Sequence, residues 1–374
     1  MSSNAARAAQ RTDFNVALNG YRGLCAALVF VHHLGSAGVV PWPAGGAAAQ
    51  AVTFVWRGLQ YGVEMFFMIS GFVILGSLVR HATVAGFLRD RFVRIFSAWV
   101  PTLVAVTLVC MLFQLKVFAD IGAVNAVGLF VANLLLLPPV VPLPMIHLVS
   151  WSLTYEWIFY FSAAAGLAVL RLRQRWATAL WLTVSLSFVC LFPRATFFIV
   201  GVLVFKYRDW FCAHRRWLRW PVASLLLFLI AWGLTGAEKA DLKDTWVDWL
   251  LDGRWLAGLI AFAAGLHMFA SVTVGASRES AYLTGRTFQF LGAISYSFYL
   301  WHSLVISVVK RVVTPYVVPE VGVAMGFVVF TMLSLAISIP LAWVSWRTFE
   351  VHLARRLQTW LKPQRGVGEP IRAT

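Results

Sequence analysis

The chain has 374 residues, 60% of them apolar and only 12% charged, with a net charge of +16. A soluble domain carries about twice that charged fraction, so a water-soluble globular fold is excluded. The basic residues gather in short stretches between apolar runs, where they orient a membrane protein, rather than on a face built for nucleic acid.

Apolar runs fall at 16–40, 61–79, 97–115, 121–138, 148–170, 176–192, 195–206, 218–236, 255–274, 288–309 and 321–345. Most reach the roughly 20 residues that a membrane crossing needs. Arg7, Arg11 and Arg22 place the N-terminus in the cytoplasm, and the strongly basic second loop "RHATVAGFLRDRFVR" is cytoplasmic too. Later basic stretches are "RLRQR" at 171–175, "KYRDWFCAHRRWLR" at 206–219 and the tail with Arg347, Arg355, Arg356 and Lys362. The loop "AEKADLKDTWVDWLLDGR" is net acidic and should lie outside. If every run crossed, "RLRQR" would fall on the wrong side. Run 121–138 holds Asn125 and Asn133 and ends in "PPVVPLP". It is therefore predicted to be re-entrant or interfacial, tolerated only where protein covers its backbone.

The fold class that follows is all-α: a polytopic membrane bundle of about ten transmembrane helices with both termini cytoplasmic. Lys310 and Arg311 are the exception, falling outside. Residues 1–14 form a cytoplasmic N-terminal segment without the apolar region of a cleaved signal peptide, 15–350 the membrane domain, and 351–374 a cytoplasmic tail, disordered over 362–374. Cys25, Cys110, Cys190 and Cys212 have no metal-ligand spacing and read as small hydrophobes.

Ionisable groups inside apolar runs are costly in lipid and point to function. Arg22 and His33 are eleven residues apart in the first run. That is about three helical turns, so both share one face roughly 16 Å apart, while His32 points about 100° away. Glu64, Ser70 and Gly71 lie in "GVEMFFMISGF". Glu64 requires a partner or a cavity, and Ser70 and Gly71 read as close helix packing. Arg91 and Arg94, three apart in "RDRFVRIF", present two guanidiniums on one face, suited to phosphate. Further along, "HLVSWSLTYEWIFYF" carries His147, Trp151 and Glu156, and "LGAISYSFYLWHSLV" carries Tyr296, Tyr299 and His302. The predicted topology puts Arg22, Arg91 and Arg94 on the cytoplasmic side. It puts His33, Glu64, Glu156 and His302 at mid-membrane or above. The first cluster suits an anionic donor, the second acid–base work on an acceptor from the other side. An anionic-solute transporter is the alternative class, since buried ionisable residues also mark solute paths; no inverted repeat supports it. A lipid-linked glycosyltransferase would more often carry a large outer loop, and the outer loops here are short.

Taken in order, these stretches resemble the membrane acyltransferase 3 family of bacterial O-acyltransferases over residues 17–350. "LNGYRGLCAALVFVHHLG" is similar to its opening Arg-x10-His helix, "GVEMFFMISGF" to its FF-x-x-SGF signature and "RDRFVRIF" to its Arg-x-x-Arg segment. "WSLTYEWIFY", "RATFFIVG" and "SYSFYLWH" resemble its later blocks. Asn19 stands where the family usually has Asp, and Tyr21 where Leu is common. The resemblance implies a ten-helix bundle in the bacterial inner membrane and no permanently bound cofactor. Its donor is acetyl-CoA or another acyl-CoA. The acceptor is an extracytoplasmic hydroxyl on a carbohydrate or lipid-linked sugar, reached among membrane lipid and without nucleic acid. Carried over by motif, Arg22 and His33 become the key Arg and His, and Arg91 and Arg94 the Arg pair. The mechanism expected from this has Arg91 and Arg94 on the donor phosphates and His33 as general base or transient acyl carrier. Glu156 and His302 orient the acceptor or shuttle protons. Glu64, Ser70, Gly71, Trp151, Tyr296 and Tyr299 support them.

Overall fold

The computed structural model describes residues 3–39, 45–81, 83–113, 118, 122–236, 244–275 and 279–361, with the backbone alone at 3–15, 79 and 279. All regular structure among these residues is helical. In chain order the helices are α1 Ser3–Ser36, α2 Gly46–Gly58, α3 Gly62–Arg80, α4 Val84–Leu112, α5 Ala123–Leu134, α6 Ser150–Leu172, α7 Arg175–Leu191 and α8 Thr196–Lys206. There follow α9 Arg208–Ala213, α10 Pro221–Leu234, α11 Trp246–Leu251, α12 Trp255–Val274, α13 Glu279–Tyr282, α14 Arg286–Tyr316, α15 Val318–Ser345 and α16 Ala354–Trp360.

Among the described residues, six helical stretches are long and apolar enough to cross a membrane: Gly46–Leu78, Val84–Leu112, Ser150–Leu172, Trp255–Val274, Arg286–Tyr316 and Val318–Trp360. A seventh arises if α7 and α8, bent by 118° at the Pro193 break, are one broken span. About ten were expected. The shortfall has local causes: Asn19, Arg22, His32 and His33 dilute the apolarity of α1, and α10 has only 14 residues. The run at 121–138 becomes α5, whose 12 residues cover about 18 Å against about 30 Å of hydrocarbon. Asn133 explains how this segment is tolerated. Its Nδ2 donates to Leu129 O (2.9 Å) and Pro144 O (3.1 Å), and its Oδ1 accepts from Ile146 N (2.9 Å), so buried backbone groups find partners.

Three boundaries differ from the sequence reading. The basic "loop" before residue 97 is helical from Val84, started by Thr83, whose side chain accepts from Gly86 N. Arg91 and Arg94 therefore do share a helix. Residues 46–58, which fall between the first two apolar runs, form α2. The boundary drawn at 350 falls inside a helix that continues from α15 through a π-helical stretch, Trp346–Leu353, to Trp360, with α16 packed on α4. The tail at 362–374 lies outside the described residues. Between α10 and α12, Arg254 ties the loop together, reaching Asp244, Asp252 and Thr235 O. Its hydrogen bond holds the Asp252 carboxyl below the usual carboxylate range.

Small residues set the central crossings. A Cβ at Gly71 would lie 2.1 Å from Phe198 O, and one at Gly201 2.0 Å from Met68 O, so α3 and α8 meet backbone to backbone. A backbone neighbour cannot rotate away. Gly71→Ala should therefore lower the thermal midpoint in detergent, by the ~1–3 kcal/mol typical of overpacking or more. Gly128→Ala in α5, where a Cβ meets nothing within 4 Å, should leave the midpoint unchanged or raise it. Equal midpoints for the two variants would contradict the crossing.

Candidate active site

α1, α3, α4, α6 and α14 enclose a cavity of about 270 Å³. One end is basic, carrying Arg22 from α1 and Arg91 and Arg94 from α4. Arg94 faces Glu350 at 3.8 Å and lies over the Tyr296 ring. Arg22 and Arg91 have no ion pair among the described residues, although Glu156 and Glu350 lie within electrostatic reach of Arg22. The Nε of Arg91 is buried without a hydrogen-bond partner. Guanidiniums turned into a cavity without a carboxylate partner are suited to an anion that supplies the missing acceptors.

Glu156 shares this cavity. Its Oε1 accepts from Ser70 Oγ (2.7 Å) and from the Tyr160 hydroxyl. The expected grouping of Glu156 with the histidines is thus replaced by a grouping with the arginines. The reason is that α6 turns Glu156 toward α3 and α1, on the face that also carries Ser152 and Tyr160. Ser70 and Gly71, read together as packing residues, divide: Gly71 packs, and Ser70 lines the cavity and holds Glu156. Asn19 lies here too, its Nδ2 donating to Gln289 O and Oε1 at 3.0 Å, so it joins α1 to α14.

Along α3, lining residues run from Ile74 and Val73 at the basic end to Phe66 and Val63 at the other. Eleven residues of helix separate Ile74 from Val63, about 16 Å. On α1 the cavity is lined by Leu18, Asn19 and Arg22, and no residue between Arg22 and His33 lines it.

His33 and His302 meet beyond the far end. His302 Nε2 lies 3.3 Å from His33 Nδ1, with ring centroids 5.0 Å apart. Each Nδ1 also faces a carbonyl of its own helix, Val29 O at 2.9 Å for His33 and Phe298 O at 3.1 Å for His302. A carbonyl only accepts, so in the neutral rings both Nδ1 atoms carry the proton. The lone pair of His302 Nε2 then faces His33 Nδ1–H, and His33 Nε2 keeps its own lone pair for chemistry. Neither histidine lines the cavity. Tyr299 stands between, its ring 5.8 Å from His302 and 6.0 Å from Phe66. The Tyr299 hydroxyl is held by Ser152 Oγ (2.8 Å) and Val149 O (3.2 Å). His32 points elsewhere, with Nδ1 at 3.4 Å from Trp56 O of α2.

The remaining predicted residues form a strut. Glu64 is fully buried and accepts from Trp232 Nε1 (3.1 Å). Opposite it, at 3.3 Å, is Arg194 Nη1, from the Pro193 break. The Arg194 guanidinium also lies 4.8 Å from the centroid of Trp151. Glu64 and Trp151 thus belong together, through a residue that the sequence reading quoted in "RATFFIVG" without assigning a role. His147 is structural, its Nε2 donating to Leu300 O at 2.8 Å while its ring stacks on Trp99. Glu350 was missed altogether. The wide π turn at Trp346–Leu353 carries it, and its Oε1 accepts from Ser297 N (3.0 Å) and Oγ (2.6 Å). An acidic residue just beyond the last apolar run was the available signal.

A family model described as an acyltransferase domain matches residues 15–344. No curated protein and no solved structure matches the chain. The match takes in every helix that lines the cavity and both histidines, and its end at 344 leaves Glu350 outside. A multi-pass helical membrane protein with this match is an acyltransferase, and the chain belongs to the membrane acyltransferase 3 family.

Proposed function

We propose that the enzyme takes an acyl group, acetyl in the simplest case, from a cytoplasmic acyl-CoA. It passes this group to a hydroxyl of a carbohydrate or lipid-linked sugar on the far side of the bacterial cytoplasmic membrane. The observation that carries this reading is the cavity itself. Its basic end offers Arg22 and Arg91 unpaired, and its other end stops at the ring that touches His302. A donor with phosphates at one end and a thin thioester arm at the other fits that polarity.

In this reading the donor phosphates sit at Arg91 and Arg94, with Arg22 beside them. Glu350 holds Arg94 in place, and Glu156 positions the basic end, so Glu156 serves the donor rather than the acceptor. His33 Nε2 takes the proton of the acceptor hydroxyl. The oxygen bonds to the acyl carbon, the carbon–sulfur bond breaks, and His33 returns the proton to the leaving sulfur. His302 accepts from Nδ1–H throughout and steadies the ring while it is protonated. A transient acyl group on Nε2 uses the same lone pair in two steps.

Sidedness tests this reading. Labelled acetyl-CoA added to sealed inverted membrane vesicles should label glycan inside them, whereas right-side-out vesicles should stay unlabelled until permeabilised. Equal labelling of intact right-side-out vesicles would overturn it.

A further inference from the structure

We infer that Phe66 and Tyr299 set the length of the acyl chain, restricting the donor to short acyl groups. The inference rests on the donor-site reading above.

The cavity is about 270 Å³, below the 300–1,000 Å³ of pockets that enclose a drug-sized ligand. A donor arm that runs its length leaves little room past the carbonyl. What closes the far end is specific. Tyr299 cannot swing aside cheaply, because its hydroxyl is fixed by Ser152 Oγ and Val149 O, and Ser152 is itself tied to Val149 O at 3.1 Å. Phe66 meets Tyr299 edge to face and packs against apolar clusters, with no polar atom of its own to anchor it. The two rings line the end of the cavity nearest His302. An acyl carbonyl at that end lies against them, and any longer chain must find space where Phe66 now is. One ring is therefore a fixed stop and the other a replaceable filler. Val63, one turn from Phe66 and also lining the cavity, is too small to take over that role.

The test is affinity for acetyl-CoA and hexanoyl-CoA, measured by thermal shift or calorimetry on the detergent-purified full chain. Wild type should bind acetyl-CoA at least tenfold more tightly than hexanoyl-CoA. Phe66→Leu should erase or invert that preference, leaving acetyl-CoA affinity within about threefold. Phe66→Trp should sharpen it, which keeps the test alive if one variant fails to fold. Tyr299→Phe, which keeps the ring and frees it from Ser152, should weaken discrimination in the same direction as Phe66→Leu. A purely structural role for Phe66 would lower both affinities together and leave their ratio fixed. That result, with acetyl-CoA still binding, overturns the chain-length inference alone. No acetyl-CoA binding by folded wild type overturns the donor-site reading and this inference with it.

Discussion

His33→Ala is expected to lose acyl transfer by about 10²–10⁴-fold, the range a general base contributes, while acetyl-CoA still binds and the protein stays folded. The expectation follows from position. His33 does not line the cavity in which the donor would sit, so its removal leaves the basic end intact. His302 separates chemistry from positioning. Its Nε2 lies 3.3 Å from His33 Nδ1. Glutamine keeps an accepting oxygen and alanine does not, so His302→Gln should retain more activity than His302→Ala. Initial rates of labelled acetyl transfer by purified variants check both statements. Retained activity in His33→Ala would remove it from the mechanism.

Arg194→Ala should be the most destabilising change at the strut, by about 3–5 kcal/mol, because it strands the buried Glu64 carboxylate. Glu64 has no exposure, and its Oε2 already lacks a hydrogen-bond partner. Water cannot readily replace the guanidinium there. Arg194→Lys keeps the charge and loses the planar stack on Trp151, so it should fall between wild type and alanine. Arg91→Ala, which breaks no ion pair among the described residues, should leave the thermal midpoint of the unliganded protein close to wild type. If Arg194→Ala melts with wild type, the strut does not hold the Pro193 break in place.

The two clusters were unequally legible in the sequence. Arg22, His33, Arg91 and Arg94 announce themselves because helical spacing is local: eleven or three residues along one helix fix a shared face whatever the surroundings. The Tyr299–His302 neighbourhood is likewise local. Glu156 was assigned to the wrong cluster because depth along a helix says nothing about the direction in which a side chain faces. Arg194 went unassigned because its value lies in Glu64 and Trp151, far away in the chain. Glu350 was missed because it sits on a π turn, where a helical pattern loses its register. The number of crossings was the least legible feature of the fold. A helix that carries polar and ionisable residues, such as α1, looks less like a membrane span for that very reason.

The central claim is that the arginine end of the cavity binds an acyl-CoA. The most direct measurement is the thermal midpoint of detergent-purified protein with and without acetyl-CoA, for wild type and Arg91→Ala. A ligand of the folded state at 100 times its Kd stabilises by about 2.7 kcal/mol. The expected result is a clear upward shift in wild type and a much smaller one in Arg91→Ala at the same ligand concentration. The same shift in both would contradict a donor site at the basic end, and no shift in folded wild type would contradict acetyl-CoA as the donor.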